Sequence, residues 1–146
     1  MDDESLVRLF ENGEVPPGGF HHGDHVRVAW WYLRQHPLPE ALARFGATLR
    51  RFACAQGKPE LFHETITTAY LLLINERLDA DGRELAWQEF ALRNGDLMRW
   101  KPSILTRYYR EETLSSSRAK RTFVMPDRLQ PAAAAPPSSS QETQVR

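Results

Sequence analysis

The stretch HETITTAYLLLINERL, residues 63–78, is the most apolar segment of the chain and decides its fold. Apolar side chains recur there at helical spacing and cover much of the helix circumference. Pro59 is favourable in the first turn of this helix, and the polar residues 79–82 end it. A helix that is apolar on most sides is typically buried on most sides, so this segment predicts the central helix of a bundle.

The sequence on either side predicts further helices. The same spacing indicates helices at about Asp3–Glu11, His22–Gln35, Pro39–Gln56 and Glu84–Arg93, followed by short turns near residues 96–100, 103–109 and 116–123. No alternation of period two extends beyond a few residues. We therefore predict an all-α fold: a compact helical bundle of about four main helices, with short C-terminal helices and a disordered tail.

The chain of 146 residues is 41% hydrophobic, which is enough for one globular domain with a real core. We place this single helical domain at residues 1–125. Residues 126–146 contain four prolines, an alanine run and three serines, and they offer little that repays the entropy of ordering. The sequence predicts that these residues form a disordered tail.

Charge and hydropathy exclude several classes of function. Lysine plus arginine equals aspartate plus glutamate at 19 each, and the basic stretch 107–121 is interrupted by Glu111 and Glu112, so nucleic-acid binding is not expected. The longest apolar run, residues 69–74, is far shorter than the roughly 20 residues of a membrane span. A single cysteine, Cys54, and the lack of a secretory signal pattern predict a cytoplasmic protein. The sequence is also compatible with a homodimer.

Three histidines stand out by their position. His22 and His25 continue the apolar stripe of their predicted helix, and His63 lies on the inward stripe of the central helix. If the two helices are neighbours, the three imidazoles converge and leave an open coordination position, which predicts a divalent transition metal, zinc or iron. The alternative is that each histidine is buried and satisfied by a backbone carbonyl.

Two carboxylates and four other residues complete the predicted site. Asp24 and Glu64 are candidates for acid-base catalysis or for a fourth ligand, although both also suit the first turn of a helix. A substrate pocket is predicted from Tyr32, Thr67, Tyr70 and Arg107. The alternatives are that the tyrosines belong to the core and that Arg107 pairs with a nearby acid.

These residues leave three functions open. The first is an enzyme that acts on a small molecule with a divalent metal; the second is a metal-free enzyme that uses histidine and glutamate for acid-base work. The third is a non-catalytic helical module that binds a ligand or a partner. The sequence contains no phosphate loop, dinucleotide fingerprint or nucleophile elbow, and His63-Glu64 lacks the second histidine of a zinc-protease motif.

Four short motifs resemble an uncharacterised bacterial family of small helical proteins. They are FxHxDHxxxAWxYL at residues 20–33, HETIT at 63–67, PSILxRYY at 102–109 and FVxPD at 123–127. The resemblance covers residues 20–127. It implies a shared helical domain and assigns His22, rather than His21, to the motif, and it implies no particular substrate.

Overall fold

The structure is a computed structural model that describes residues 1–128. These residues form eight α-helices: α1 (Asp3–Glu11), α2 (His22–Gln35), α3 (Leu38–Ala55), α4 (Glu64–Asp81), α5 (Trp87–Arg93), α6 (Gly95–Met98), α7 (Glu111–Leu114) and α8 (Ser117–Arg121). Within them no β-strand is found, so the predicted all-α fold is confirmed. None of these helices has the length and hydropathy needed to cross a membrane.

Helix α4 lies at the centre of the bundle, packed against α2, α3 and α8. Its residues Ala69, Leu71, Ile74 and Leu78 are buried in the core. The helix begins later than the sequence suggests, because Pro59–Leu61 is a separate 3-10 turn. Extended backbone at Phe62 and His63 then separates this turn from α4.

Helix α2 also contributes buried residues to the core, and its apolar stripe faces inward as predicted. Trp30 is fully buried, with its ring 5.3 Å from that of Trp87 and 6.2 Å from that of Phe90. The neighbouring Trp31 is only partly buried. The Nε1 atom of Trp30 is buried and, within residues 1–128, has no hydrogen-bond partner.

A set of hydrogen bonds that we call the Asn94 network joins the end of α4 to α5 and α6. Asn94 is buried, and its amide donates to the carboxylate of Asp81 and to the carbonyl of Phe90, each at 2.9 Å. Arg77 donates to the Asn94 side-chain oxygen at 2.8 Å and to both carboxylate oxygens of Asp96 at 2.9 Å. Both polar atoms of the Asn94 amide are thus satisfied.

The end of the described chain packs back on the bundle. Val124 donates its N–H to the Thr65 hydroxyl at 3.0 Å, and the Tyr109 hydroxyl donates to the Val124 carbonyl at 2.7 Å. The carboxylate of Asp127 accepts the N–H of Arg110, the residue that precedes α7. The backbone N–H of Arg128 also donates to the carbonyl of Tyr108, so hydrogen-bonded structure continues three residues past the predicted boundary at 125. Of the tail predicted for residues 126–146, the part from 129 to 146 lies outside the described residues.

Candidate ligand-binding cavity

A cavity of about 580 Å³ lies between α2, α3 and α4. Five of the residues that the sequence singles out line it: His22, His25, His63, Thr67 and Tyr70. They come together because α2 and α4 pack side by side and bring their first turns to the same end of the bundle. The volume falls within the range of roughly 300–1,000 Å³ that holds small-molecule ligands in proteins.

The interior of the cavity is apolar. Its buried lining residues are Val26, Ala29, Phe45, Phe52, Ala53, Phe62, Tyr70, Leu71 and Ile74. The lining residues that are exposed to solvent mark the mouth, and they are Val15, Gln56, Lys58, Leu61 and Trp100. Leu61 is 66% exposed and both Val15 and Trp100 are 45% exposed, so the mouth itself presents apolar surface.

The loop after α1 holds Val15 and Phe20 on the cavity. Gly13 has a φ of +75°, and an added Cβ at this position would lie 2.8 Å from the Cβ of Ala55. Only glycine permits both this conformation and this close approach to α3. The side-chain amide of Gln56 fixes the loop further, since it donates to the Gly13 carbonyl at 2.6 Å.

The ring of His25 packs against aromatic side chains in the cavity. Neither of its ring nitrogens has a hydrogen-bond partner within residues 1–128. Its ring packs edge-on against Phe20, with the centroids 4.5 Å apart, and lies 6.4 Å from the ring of Phe52. The pKa of His25 is lowered to about 4, mainly by burial and to a smaller extent by the nearby His22, while Asp24 opposes the shift. At neutral pH the imidazole is therefore uncharged.

One of the two ring nitrogens of His22 has a hydrogen-bond partner, a backbone carbonyl. Its Nε2–H donates to the carbonyl of Leu97 at 2.9 Å, which leaves Nδ1 as an acceptor. The ring lies 5.0 Å from both the Tyr70 and the Trp100 rings. Burial lowers the pKa of His22, and the bond to Leu97 only partly offsets this effect.

His63 uses both ring nitrogens to hold the structure. As the N-cap of α4, it accepts the N–H of Ile66 at Nδ1 over 3.1 Å. Its Nε2–H donates to the carbonyl of Leu114 at 2.8 Å. These two bonds fix the tautomer with the proton on Nε2, and they tie the start of α4 to α7.

The donor set does not fit the metal centre predicted at His22, His25 and His63. A histidine ligand binds metal through an unprotonated ring nitrogen, and both nitrogens of His63 are already engaged. Across residues 1–128, no group of three or more histidine, cysteine, aspartate or glutamate side chains is arranged to hold a metal ion. The three imidazoles share a cavity, but zinc or iron binding has no support in this geometry.

The two predicted catalytic carboxylates lie outside the cavity lining. Asp24 accepts the backbone N–H of His21 at 2.9 Å, which is the capping-box interaction of an N3 residue. Glu64 pairs with Arg50 at 2.9 Å and accepts a hydrogen bond from Thr68 at 3.3 Å. Both therefore follow the alternative interpretation, in which an acid in the first turn of a helix stabilises that helix.

The four predicted pocket residues divide between different parts of the molecule. Thr67 and Tyr70 line the cavity; the Thr67 hydroxyl has no partner within the described chain, whereas the Tyr70 hydroxyl bonds to Ser103 Oγ at 2.7 Å. Tyr32 lies in a separate, smaller pocket, where its hydroxyl donates to Glu11. Arg107 contacts Asp96 at 3.4 Å and lines neither pocket.

Sequence reasoning missed several lining residues, above all Lys58 and the phenylalanines. Phe52 and Phe62 carry the signal of ordinary core positions, and nothing in their spacing distinguishes a cavity wall from a packed core. Lys58 lies in the turn between α3 and α4, where a lysine is unremarkable. Only the packing of three helices shows that these residues face one space.

Comparisons with protein-family models, with curated proteins and with solved structures gave no match to this chain. The resemblance of the four motifs to a family of small helical proteins therefore stays a prediction.

Proposed function

We propose that this protein is a helical small-molecule-binding module, whose cavity holds a largely apolar ligand that makes one or two hydrogen bonds. The observation that carries the proposal is His25, a partly buried imidazole that faces an apolar cavity without a hydrogen-bond partner in the described chain. Of the functions that the sequence leaves open, this proposal adopts the non-catalytic binding module.

The apolar lining supplies the affinity in this proposal. Transfer of apolar surface out of water contributes roughly 25 cal/mol per Å², so a ligand that fills the cavity gains most of its binding free energy from contact with residues such as Phe52, Phe62 and Ile74. The exposed apolar residues at the mouth extend this surface to solvent. Exposed apolar surface next to a concave apolar site is typical of a ligand entrance.

The polar groups supply orientation. The partly buried His25 side chain makes no hydrogen bond in the described chain, so it adds no polar contact to the stability of the fold. A neutral imidazole offers one donor and one acceptor, and the Thr67 hydroxyl offers one of each as well. A few such groups in an otherwise apolar cavity fix how a ligand lies within it.

The pKa of His25 favours binding over acid-base catalysis. A general base is most effective when its pKa lies near the working pH, and burial holds His25 at about 4. Of the groups proposed for metal-free acid-base work, His63 lines the cavity but uses both ring nitrogens in hydrogen bonds, and Asp24 and Glu64 do not line the cavity. These observations favour the binding proposal over acid-base work by these residues.

A neutral fluorescent probe tests the proposal. N-phenylnaphthylamine, which brightens in apolar surroundings, is titrated into the full-length chain and into two variants, Thr67→Phe and Thr68→Phe. Thr67 lines the cavity and Thr68, its neighbour in α4, does not. We expect saturable binding to the wild type and to Thr68→Phe, and loss of most binding in Thr67→Phe because the new ring fills the cavity.

Thermal unfolding of both variants shows that they fold. The proposal fails if the wild type gives no saturable signal. It fails equally if Thr67→Phe and Thr68→Phe bind the probe as well as each other, because the probe then occupies another place.

A further inference from the structure

The side chains that line the cavity carry formal charge of one sign only. Among the described residues that line it, none is an aspartate or a glutamate, and Lys58 is the one with a formal charge at neutral pH. Lys58 is exposed at the mouth and makes no ion pair within residues 1–128. A cationic ligand would therefore meet a like charge and no counter-charge, whereas an anionic ligand would meet a free ammonium group.

The two helices that begin at the cavity, α2 and α4, each carry an acid in the first turn. Asp24 accepts the His21 N–H and Glu64 pairs with Arg50. Both carboxylates lie outside the cavity lining, so neither places a negative charge on its wall.

The lining residues in the described chain include one cationic side chain, that of Lys58 at the mouth, and an apolar interior behind it. A carboxylate carries one negative charge, and a hydrocarbon chain attached to it matches the apolar interior. A single lysine balances a single negative charge, which favours one carboxylate over a dianionic phosphate.

We propose that the cavity binds an apolar monocarboxylate, with its acid group at the Lys58 mouth and its hydrocarbon part along Ala29, Leu71 and Ile74. This inference rests on the proposed small-molecule-binding function and names the chemical class of the ligand. The burial of the lining supports the orientation, since the interior residues are buried and the residues at the mouth are exposed.

Three amphiphiles of equal chain length test the inference: decanoate, decanol and decyltrimethylammonium, each below its micelle concentration. Displacement of N-phenylnaphthylamine from the full-length chain gives their relative affinities. Decanol measures the contribution of the apolar chain alone. We expect decanoate to bind about tenfold more tightly than the cation, and its affinity, unlike that of decanol, to fall as salt is added.

The variant Lys58→Gln isolates the charge, and Lys120→Gln is its matched control. Lys120 is an exposed lysine of α8 that does not line the cavity, so both variants change the net charge equally. We expect Lys58→Gln to weaken decanoate about threefold, the size of an exposed ion pair, and to leave decanol unchanged. Lys120→Gln should change neither affinity.

Each other outcome has a defined meaning. If the cation binds as tightly as decanoate, or if Lys58→Gln affects decanoate and decanol alike, the carboxylate assignment is overturned while the apolar cavity stands. If none of the three amphiphiles displaces the probe and the probe itself does not bind, the proposed function fails as well.

Discussion

The polar side chains near the two ends of α4 differ in whether they have hydrogen-bond partners. At its C-terminal end, the Asn94 network gives both polar atoms of Asn94 a partner and joins α4 to α5 and α6. At its N-terminal end, the partly buried side chains of His25 and Thr67 line the cavity without a hydrogen-bond partner in the described chain. The first arrangement stabilises the fold, because a satisfied polar group costs little and fixes the packing. The second arrangement leaves side-chain donors and acceptors for a ligand.

The difference also separates polar residues that the sequence presents alike. Asn94, His63 and His25 are all polar residues near helix ends, yet of the three only the His25 side chain makes no hydrogen bond in the described chain. A polar residue on an inward stripe is therefore not in itself a functional signal. The accounting of its hydrogen bonds distinguishes a structural role from one that is open to a ligand.

Removal of one polar side chain near each end of α4 tests whether the two ends differ in their contribution to stability. We expect Asn94→Ala to lower the free energy of unfolding by roughly 2–3 kcal/mol, because Arg77 and Asp81 lose partners and a small void remains. His25→Leu should change it by less than about 1 kcal/mol at neutral pH, since no hydrogen bond is lost. Urea unfolding measures both.

Asn75→Ala is the matched control for the network, since Asn75 is a partly buried asparagine of α4 without a side-chain hydrogen bond in the described chain. Equal losses for Asn94→Ala and His25→Leu would show that the side chains near the two ends of α4 contribute equally to the free energy of unfolding.

The second prediction concerns pH. The pKa of His25 is about 4 in the folded protein and near 6.5 when unfolded, so below pH 6.5 the unfolded chain binds more protons than the folded one. Stability is therefore unaffected by His25 above pH 6.5 and falls as the pH drops from 6.5 towards 4. Between about pH 7.5 and pH 5 we expect a loss of roughly 2 kcal/mol, to which the lowered pKa of His22 adds in the same direction.

Urea unfolding at the two pH values, for the wild type and for His25→Leu, measures this effect. The variant should lose clearly less stability on acidification, because it lacks the group that titrates. A pH dependence that is identical in the two proteins would mean that other groups account for it and that His25 is not desolvated as described.

The smallest expected effect is at His63, where the experiment distinguishes a helix N-cap from a metal ligand. His63→Ala should cost about 1 kcal/mol, because α4 loses its N-cap, and His63→Asn should recover most of this loss, because asparagine caps helices well. Thermal unfolding compares the three proteins. Elemental analysis of the same samples, after supplementation with zinc and iron, provides the opposing test: stoichiometric metal in the wild type that is lost in both variants would restore the metal-site hypothesis.

Local pattern determined most of the helices. The observed α1 and α2 have the predicted bounds, and α3 agrees within a residue or two at each end, because helical periodicity and capping act over a few neighbouring positions. The same periodicity placed Trp30 in the core and directed His22, His25 and His63 inward. The start of α4 was predicted too early, since a proline that is tolerated in a first turn does not by itself place one there.

The partners of those residues came only from the tertiary structure. The ring of His63 bonds to Leu114 and that of His22 to Leu97, residues 51 and 75 positions away, so no local pattern reveals that these imidazoles are engaged. Tyr32, predicted for the same pocket, points instead to Glu11 of α1. Sequence periodicity determines which face of a helix turns inward. The packing of distant segments determines which groups each inward side chain contacts, and at His25 this packing provides a cavity rather than a hydrogen-bond partner in the described chain.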